Sequence, residues 1–275
     1  MDSAPSHPLA AMLRLDGRSA VVTGAGAGLG RAIAIALAQQ GAEVAILDRD
    51  PAAAEESARQ VQQAGGRARA FTCDVAHAQQ VQQALAQAAS AGGLDIVVNS
   101  AGVASAPGMP FTNNTEADWD RALAINLKGA VHVCQAAHPW LLRSPAGRIV
   151  NISSITGVIA AAYMPPYSVS KAALNAWTRV LARELAPHHI AVNAVCPGFI
   201  WTPLWEKLGD EMARHGAGQQ GSDAADVFAQ RVRQHVPMQR PQTVEDVAYL
   251  VAFLCSAAAA NITGQIIGVD GGVTI

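Results

Sequence analysis

The sequence predicts an α/β fold: one doubly wound parallel sheet of about seven strands with helices on both faces. Two observations carry this. Short Val/Ile-rich runs alternate with longer alanine-rich helical patterns from Ser19 onward, and such alternation with crossover helices makes a parallel sheet. The runs are also apolar throughout rather than at every second residue, as strands covered on both faces should be.

The expected strands are Ser19 to Thr23, Glu43 to Asp48, Ala68 to Thr72, Asp95 to Asn99, Arg148 to Ile152, Ile190 to Val195 and Ile266 to Val269. Helical patterns start near Leu29, Ala52, Ala78, Glu116, Tyr167 and Val244, with Asp50 before Pro51, Thr115 and Thr243 placed as caps. The stretch from Phe199 to Pro237 is too long for an ordinary connection and is broken by a Gly/Gln/Ser-rich segment at His215 to Ser222. Trp201, Leu204, Trp205, Leu208 and Met212 recur there at near-helical spacing, which suggests an amphipathic helix within a substrate lid. The expected layout is an N-terminal extension over 1–14 and one domain over 15–275, with the lid at about 199–237.

A first chemical signal follows the first strand. Thr23-Gly24-Ala25-Gly26-Ala27-Gly28-Leu29-Gly30 leads straight into a helix, where glycines let the backbone approach a pyrophosphate and the helix N-terminus favours its charge. That context marks a Rossmann-type dinucleotide site at Gly24, Gly28, Leu29 and Gly30. Asp48 ends the second strand, placed to accept hydrogen bonds from both hydroxyls of an adenosine ribose and to repel a 2′-phosphate. NAD is therefore expected over NADP, with Arg49 the residue that could pair with a phosphate. Asp74 and Val75 follow the third strand, and Asn99-Ser100-Ala101-Gly102 closes the fourth, so Asp74, Val75, Asn99, Ala101 and Gly102 fall on the ligand-binding edge of an open sheet.

A second signal is Tyr167-Ser168-Val169-Ser170-Lys171, which sets a phenol and an ammonium on one helix face. A tyrosine near its ordinary value of about 10 is a poor base at neutral pH, and a neighbouring cation is expected to lower it. Ser153 and Ser154 follow the fifth strand, where a hydroxyl can meet a substrate oxygen.

Together these residues resemble the short-chain dehydrogenase/reductase family over nearly the whole chain, from about Leu15. The resemblance rests on the glycine loop, Asn99-Ser100-Ala101-Gly102, Asn126, Ser154, Tyr167, Lys171, Pro197-Gly198 and Val269-Asp270-Gly271-Gly272; Ser100 stands where that family usually has a second asparagine. It implies catalytic roles for Tyr167 as proton donor and acceptor, Ser154 as the group orienting the substrate oxygen, and Lys171 as tuner of the phenol and holder of the nicotinamide ribose. Asn126 would maintain a water-linked proton path, and Pro197, Gly198, Ile200 and Thr202 would wrap the nicotinamide and diphosphate. Ser154 rather than Ser153 has the family's spacing to Tyr167. The helices near Glu116 and Tyr167, with Ala173, Ala176, Trp177 and Val180, would pair subunits in a homotetramer.

The function expected is NAD(H)-dependent interconversion of a secondary alcohol and a ketone, on an apolar or cyclic small molecule suggested by Val158, Ile159, Ala160, Tyr163, Met164, Trp201 and Trp205. The loops at Val103 to Pro110, Val158 to Pro166 and Phe199 to Pro237 would set its identity. An NADP-dependent 3-oxoacyl reductase is the alternative enzyme, with Arg179 and Arg183 available to an acyl carrier. A non-catalytic dinucleotide sensor or scaffold is the alternative of another class, disfavoured by the intact tyrosine and lysine.

Composition removes other classes. The 275 residues are 51% hydrophobic and carry a net charge of -2 with no dense basic block, which argues against nucleic-acid or anionic-membrane partners. Neither a signal-type start nor an apolar run of spanning length is evident, so a cytoplasmic location is expected. Cys73, Cys134, Cys196 and Cys255 are scattered singly in apolar stretches and read as buried thiols. The histidines, including His188 and His189, lack the grouping of a zinc centre, so no metal is expected.

Overall fold

The computed structural model describes residues 8–90, 92–105, 109, 111–214 and 222–275. Residues 1–7 of the expected extension, most of the break at His215 to Ser222, and 106–108 and 110 of the first substrate loop lie outside them.

Seven strands form one sheet: β1 (Ser19–Thr23), β2 (Glu43–Asp48), β3 (Arg67–Thr72), β4 (Ile96–Asn99), β5 (Arg148–Ile152), β6 (Ala191–Pro197) and β7 (Ile266–Val269). Their order is β3-β2-β1-β4-β5-β6-β7 and every pairing is parallel. The chain reverses its direction of build between β1 and β4, and an open sheet binds its ligand at that switch point, beyond the carboxyl ends of the strands.

The helices are α1 (Pro8–Leu13), α2 (Gly28–Gln39), α3 (Pro51–Gln63), α4 (Ala78–Ala89), α5 (Glu116–Leu123), α6 (Gly129–Leu141), α7 (Thr156–Ile159), α8 (Pro165–Leu185), α9 (Pro203–Arg214), α10 (Ala224–His235) and α11 (Val244–Cys255). The expected caps are in place. Asp50 accepts from the N–H groups of Ala52 and Ala53 at 3.0 and 3.1 Å, and Thr115 and Thr243 form reciprocal boxes with Asp118 and Asp246.

Strand alternation divides the core in two although both faces are apolar. Val22, Val44, Ile46, Ile96 and Val98 face α2, α3 and α11, meeting Ile33, Leu37, Val61, Val247 and Val251. Val21, Leu47 and Val97 face the opposite way, onto Val81 and Leu85 of α4, Val133 and Leu141 of α6, and Leu181 of α8. All four cysteines are buried in or beside these layers.

Beyond α1, α7, α10 and small shifts of strand ends, the helices differ from the sequence reading in these details. The helix near Glu116 continues through a π-helical segment, Ala124–Lys128, into α6, a longer helical run than its start alone indicated. The helix near Tyr167 opens two residues earlier, at Pro165, because proline has no N–H to lose in a first turn. Likewise α9 begins at Pro203, so Trp201 precedes the helix rather than sharing its buried face; it is 43% exposed, while Leu208 and Met212 are buried. No helix among the described residues is long and apolar enough to cross a membrane.

Candidate active site

A cavity of about 360 Å³ opens at the carboxyl edge of the sheet, spanning the switch point and running under α9. On its wall lie Gly24, Gly28, Leu29, Gly30, Asp48, Asp74, Val75, Ala101, Gly102, Ser154, Tyr167, Lys171, Pro197, Gly198, Ile200 and Thr202. The fold therefore gathers almost the whole expected set, drawn from the ends of six strands, into one place.

The glycine loop is built for close approach. Gly24 has φ +62°, and a Cβ there would come 2.6 Å from the Cα of Ala101; a Cβ on Gly30 would collide with the Gly24 carbonyl. Ala27 at the N-cap of α2 gives no side-chain capping bond, which leaves the first N–H groups of that helix for an anion. Asp48 is held by both oxygens: one accepts from Gly26 N–H at 2.8 Å, the other from Asp50 N–H at 3.0 Å. Arg31 in turn bonds the Gly26 carbonyl and donates to Ser57 Oγ at 2.8 Å. Thr23 Oγ1 accepts from the N–H groups of Ser100 and Ala101, both at 3.1 Å, tying the β4 turn to β1. A glycine cradle, an uncapped helix and an oriented carboxylate in line fit a nicotinamide dinucleotide.

Two expected residues are not on the wall. Asn99 is buried, and its amide donates inward to Asn151 Oδ1 at 2.8 Å and to Cys134 Sγ at 3.4 Å, because alternation turns it away from the edge. Asn126, in the π-helical segment, is 1% exposed. Its amide pairs with Val103 in both directions, at 2.8 and 3.0 Å, and donates to Ser170 Oγ at 2.9 Å. It therefore supports the wall at Val103 and ties it to α8.

At the reaction centre the two serines separate by their partners. Ser153 Oγ donates to the Lys171 carbonyl at 3.2 Å and is used in packing α8. Ser154 Oγ instead accepts from Thr156 N–H and Oγ1, at 3.2 and 3.1 Å, which leaves its own proton for the cavity side, toward the Tyr167 phenol or a substrate oxygen. Sequence reasoning missed Thr156; a hydroxyl two residues after a loop serine is the signal for such a turn.

Lys171 is buried, donates from Nζ to the Ile152 carbonyl at 2.8 Å, and stands 5.7 Å from the centre of the Tyr167 ring. The expected lowering of the phenol by that cation is not what the geometry gives. Burial pushes Tyr167 up to about 12, with only the neighbouring Ser154 pulling the other way, and burial pushes Lys171 down to about 8. Each group loses more by leaving water than it regains from its neighbour. Tyr167 lines the cavity and is half-buried. At neutral pH the phenol keeps its proton.

The far wall is apolar. Ile155, Met164, Phe199, Leu204, Trp205 and Leu208 line it, and an aromatic group behind them locks α9 to α10. Phe228 meets Trp205 and Trp201 edge-on at 4.9 and 5.2 Å, and Trp205 lies 5.9 Å from Phe199. No group of three or more His, Cys, Asp or Glu side chains suited to a metal occurs among the described residues.

Comparison with known proteins agrees with this geometry. The family model described as enoyl-(acyl carrier protein) reductase matches residues 24–274. The 3-oxoacyl-(acyl-carrier-protein) reductase of Thermotoga maritima is 33% identical over 96% of this chain and 100% of its own length. The (3R)-3-hydroxyacyl-CoA dehydrogenase of Mus musculus is 37% identical over 96% and 99%. Among solved structures, a short-chain type dehydrogenase/reductase from Mycobacterium marinum superposes with a TM-score of 0.85 at 32% identity, covering 96% of this chain and 98% of that one. An NAD⁺-bound xylitol dehydrogenase gives 0.87 at 33%, covering 94% and 99%. A dehydrogenase from Agrobacterium tumefaciens with bound NADP gives 0.81 at 33%, covering 95% and 98%.

Proposed function

The chain belongs to the short-chain dehydrogenase/reductase family, oxidoreductases acting on CH–OH groups, and from that premise we propose an NAD(H)-dependent enzyme that interconverts an apolar-bodied or cyclic secondary alcohol and its ketone. The observation that carries the cofactor choice is Asp48. Its carboxylate is fixed on the cavity wall by two backbone N–H groups, where it meets ribose hydroxyls and opposes a phosphate.

The dinucleotide supplies the hydride acceptor or donor; the protein supplies everything that moves the proton and fixes the geometry. Gly24, Gly28, Leu29 and Gly30 would hold the diphosphate, Asp48 the adenosine ribose, Asp74 and Val75 the adenine side, and Ala101 and Gly102 the central span. Lys171, Pro197, Gly198, Ile200 and Thr202 would hold the nicotinamide half. Tyr167 holds the exchanged proton on its Oη, and Ser154 donates to the same substrate oxygen, which fixes it toward the phenol. With the phenol protonated at neutral pH, ketone reduction has its acid ready, whereas alcohol oxidation must first remove that proton. Asn126 acts through Val103 and Ser170 rather than by touching the reactants.

We take residues 15–275 as one catalytic domain with its lid at about 199–237, working in the cytoplasm. Val169 and Val180 on α8 are 48% and 52% exposed, and with Ala173 and Ala176 they form a face suited to subunit pairing in a tetramer, which light scattering would test. An NADP-dependent 3-oxoacyl reductase is the second reading, favoured by the Thermotoga relative and by Arg49 beside Asp48 on the wall.

Fluorescence titration with NADH and NADPH, followed by a panel of secondary alcohols and ketones, tests both readings. Tighter NADH binding with turnover of apolar ketones is expected. Tighter NADPH binding with turnover of 3-oxoacyl thioesters would replace the first reading by the second.

A further inference from the structure

One polar group on the substrate wall is left unused by the chemistry above. Ser154 and Tyr167 act on the reacting oxygen, and the Thr156 hydroxyl is spent on Ser154. Tyr163 remains. It lines the cavity and packs beside Tyr167, Met164, Leu208 and Trp205. Its hydroxyl bonds to no described residue, and it is not among the polar atoms sealed from solvent without a partner.

The ring is also held. Arg231 of α10 places its guanidinium carbon 5.2 Å from the ring centre, and no carboxylate among the described residues competes for it; its other contact is His235 Nε2 at 3.5 Å. A cation over an aromatic face fixes the ring's plane. Burial raises the Tyr163 phenol while Arg231 pulls it down, so the hydroxyl stays a neutral donor at working pH. Its neighbours Met164, Leu208 and the Trp205 ring make this part of the wall largely apolar, and a hydroxyl donor in such a wall discriminates strongly between ligands that have and lack an acceptor for it.

We propose that Tyr163 is a specificity-determining residue that hydrogen-bonds a second oxygen function on the substrate, so that the preferred substrate is an apolar, ring-sized secondary alcohol or ketone carrying a neighbouring hydroxyl or carbonyl, with Arg231 as the positioning residue for the phenol. This rests on the alcohol–ketone reading of the site.

The test compares cyclohexanol with cyclohexane-1,2-diol and cyclohexane-1,3-diol, by turnover with the better cofactor and by binding to the cofactor-loaded protein followed through tryptophan fluorescence. The wild type should favour one diol about tenfold or more in kcat/KM and in Kd. Tyr163→Phe should erase that preference by raising the diol KM about tenfold more than it raises the cyclohexanol KM. Arg231→Gln should raise the diol KM part of the way, and Arg231→Lys should recover some of the loss. No diol preference in the wild type, or an equal loss on all three alcohols in Tyr163→Phe, overturns the proposal. If no alcohol is turned over, the alcohol–ketone reading fails; a tenfold diol preference in Kd that Tyr163→Phe abolishes would still uphold the role of Tyr163, and equal Kd values would overturn it.

Discussion

The two halves of the cavity are made of different material. On the dinucleotide side the wall is largely backbone: Gly24, Gly28, Gly30, Ala101 and Gly102 present main chain, and the Asp48 carboxylate is clamped by two N–H groups. On the substrate side the wall is side chains from the loop before α8 and the segment entering α9, backed by α10, held by ring contacts and hydrocarbon packing. Backbone walls are set by strand ends and tolerate little change. Walls of side chains can be reshaped residue by residue while the fold stands, so the same edge can serve many alcohols.

The sharpest way to break this comparison is at the junction of the halves. Tyr167→Phe removes the proton but leaves the ring, and turnover is expected to fall about 100- to 10,000-fold while NADH affinity, measured by fluorescence, stays within a factor of two or so. Near-normal turnover would take Tyr167 out of the chemistry. In the wild type, alcohol oxidation should rise with pH above neutral, as the raised phenol gives up its proton, while ketone reduction stays level until alkaline pH.

Next in size is the substrate side itself. Phe228→Ala deletes the ring that meets both Trp201 and Trp205, and thermal or denaturant unfolding should show a loss of about 3 kcal/mol. Substrate KM should rise with NADH binding unchanged; a matching loss of NADH affinity would show that the two halves are not separable. On the dinucleotide side, Asp48→Asn should shift the NADH-to-NADPH affinity ratio toward NADPH by roughly tenfold, as expected for one charge–phosphate repulsion of about 1.4 kcal/mol. Unchanged preference would move the choice of cofactor to Arg49 or the loop.

The smallest effect expected is on stability through Lys171. Its folded value of about 8 lies below the ordinary 10.5, so the fold bears the cost of a buried cation below pH 8. That cost is released as pH rises from about 8 toward 10.5, a gain set against the stability lost above pH 9 through Cys73, Cys134 and Cys255, whose thiols burial pushes up to about 11, 12 and 12. Relative to Lys171→Met the wild type should therefore gain stability from pH 7 to 9.5, read as a widening difference between their denaturant midpoints; a constant difference would show that Lys171 does not titrate there.

Much of the site was legible because its positions are tied to strand ends. Once β1 and β2 are recognised as parallel strands, the glycine loop and Asp48 must share an edge, and the same holds for Asp74, the Ser100 to Gly102 turn, Ser154 and the Pro197-Gly198 turn. Asn99 differs because it lies within β4 rather than after it. It alternates to the interior and bonds Asn151, a neighbour that only the pairing of β4 with β5 brings alongside. α9 was legible from its apolar spacing, but the partner that holds it, Phe228, comes from a helix whose own pattern says nothing of where it docks.

The sequence by itself determined what repeats locally: alternating strands and helices, caps, a glycine loop before a helix, and a tyrosine and lysine one turn apart. Each follows from backbone sterics or helical period and needs no distant partner. Only the tertiary structure decided which of two adjacent serines turns its proton to the cavity, which way the Tyr167 phenol moves, and that Tyr163 stands in the cavity under Arg231. Those outcomes depend on burial and on contacts between segments far apart in the chain, and a one-dimensional pattern carries neither.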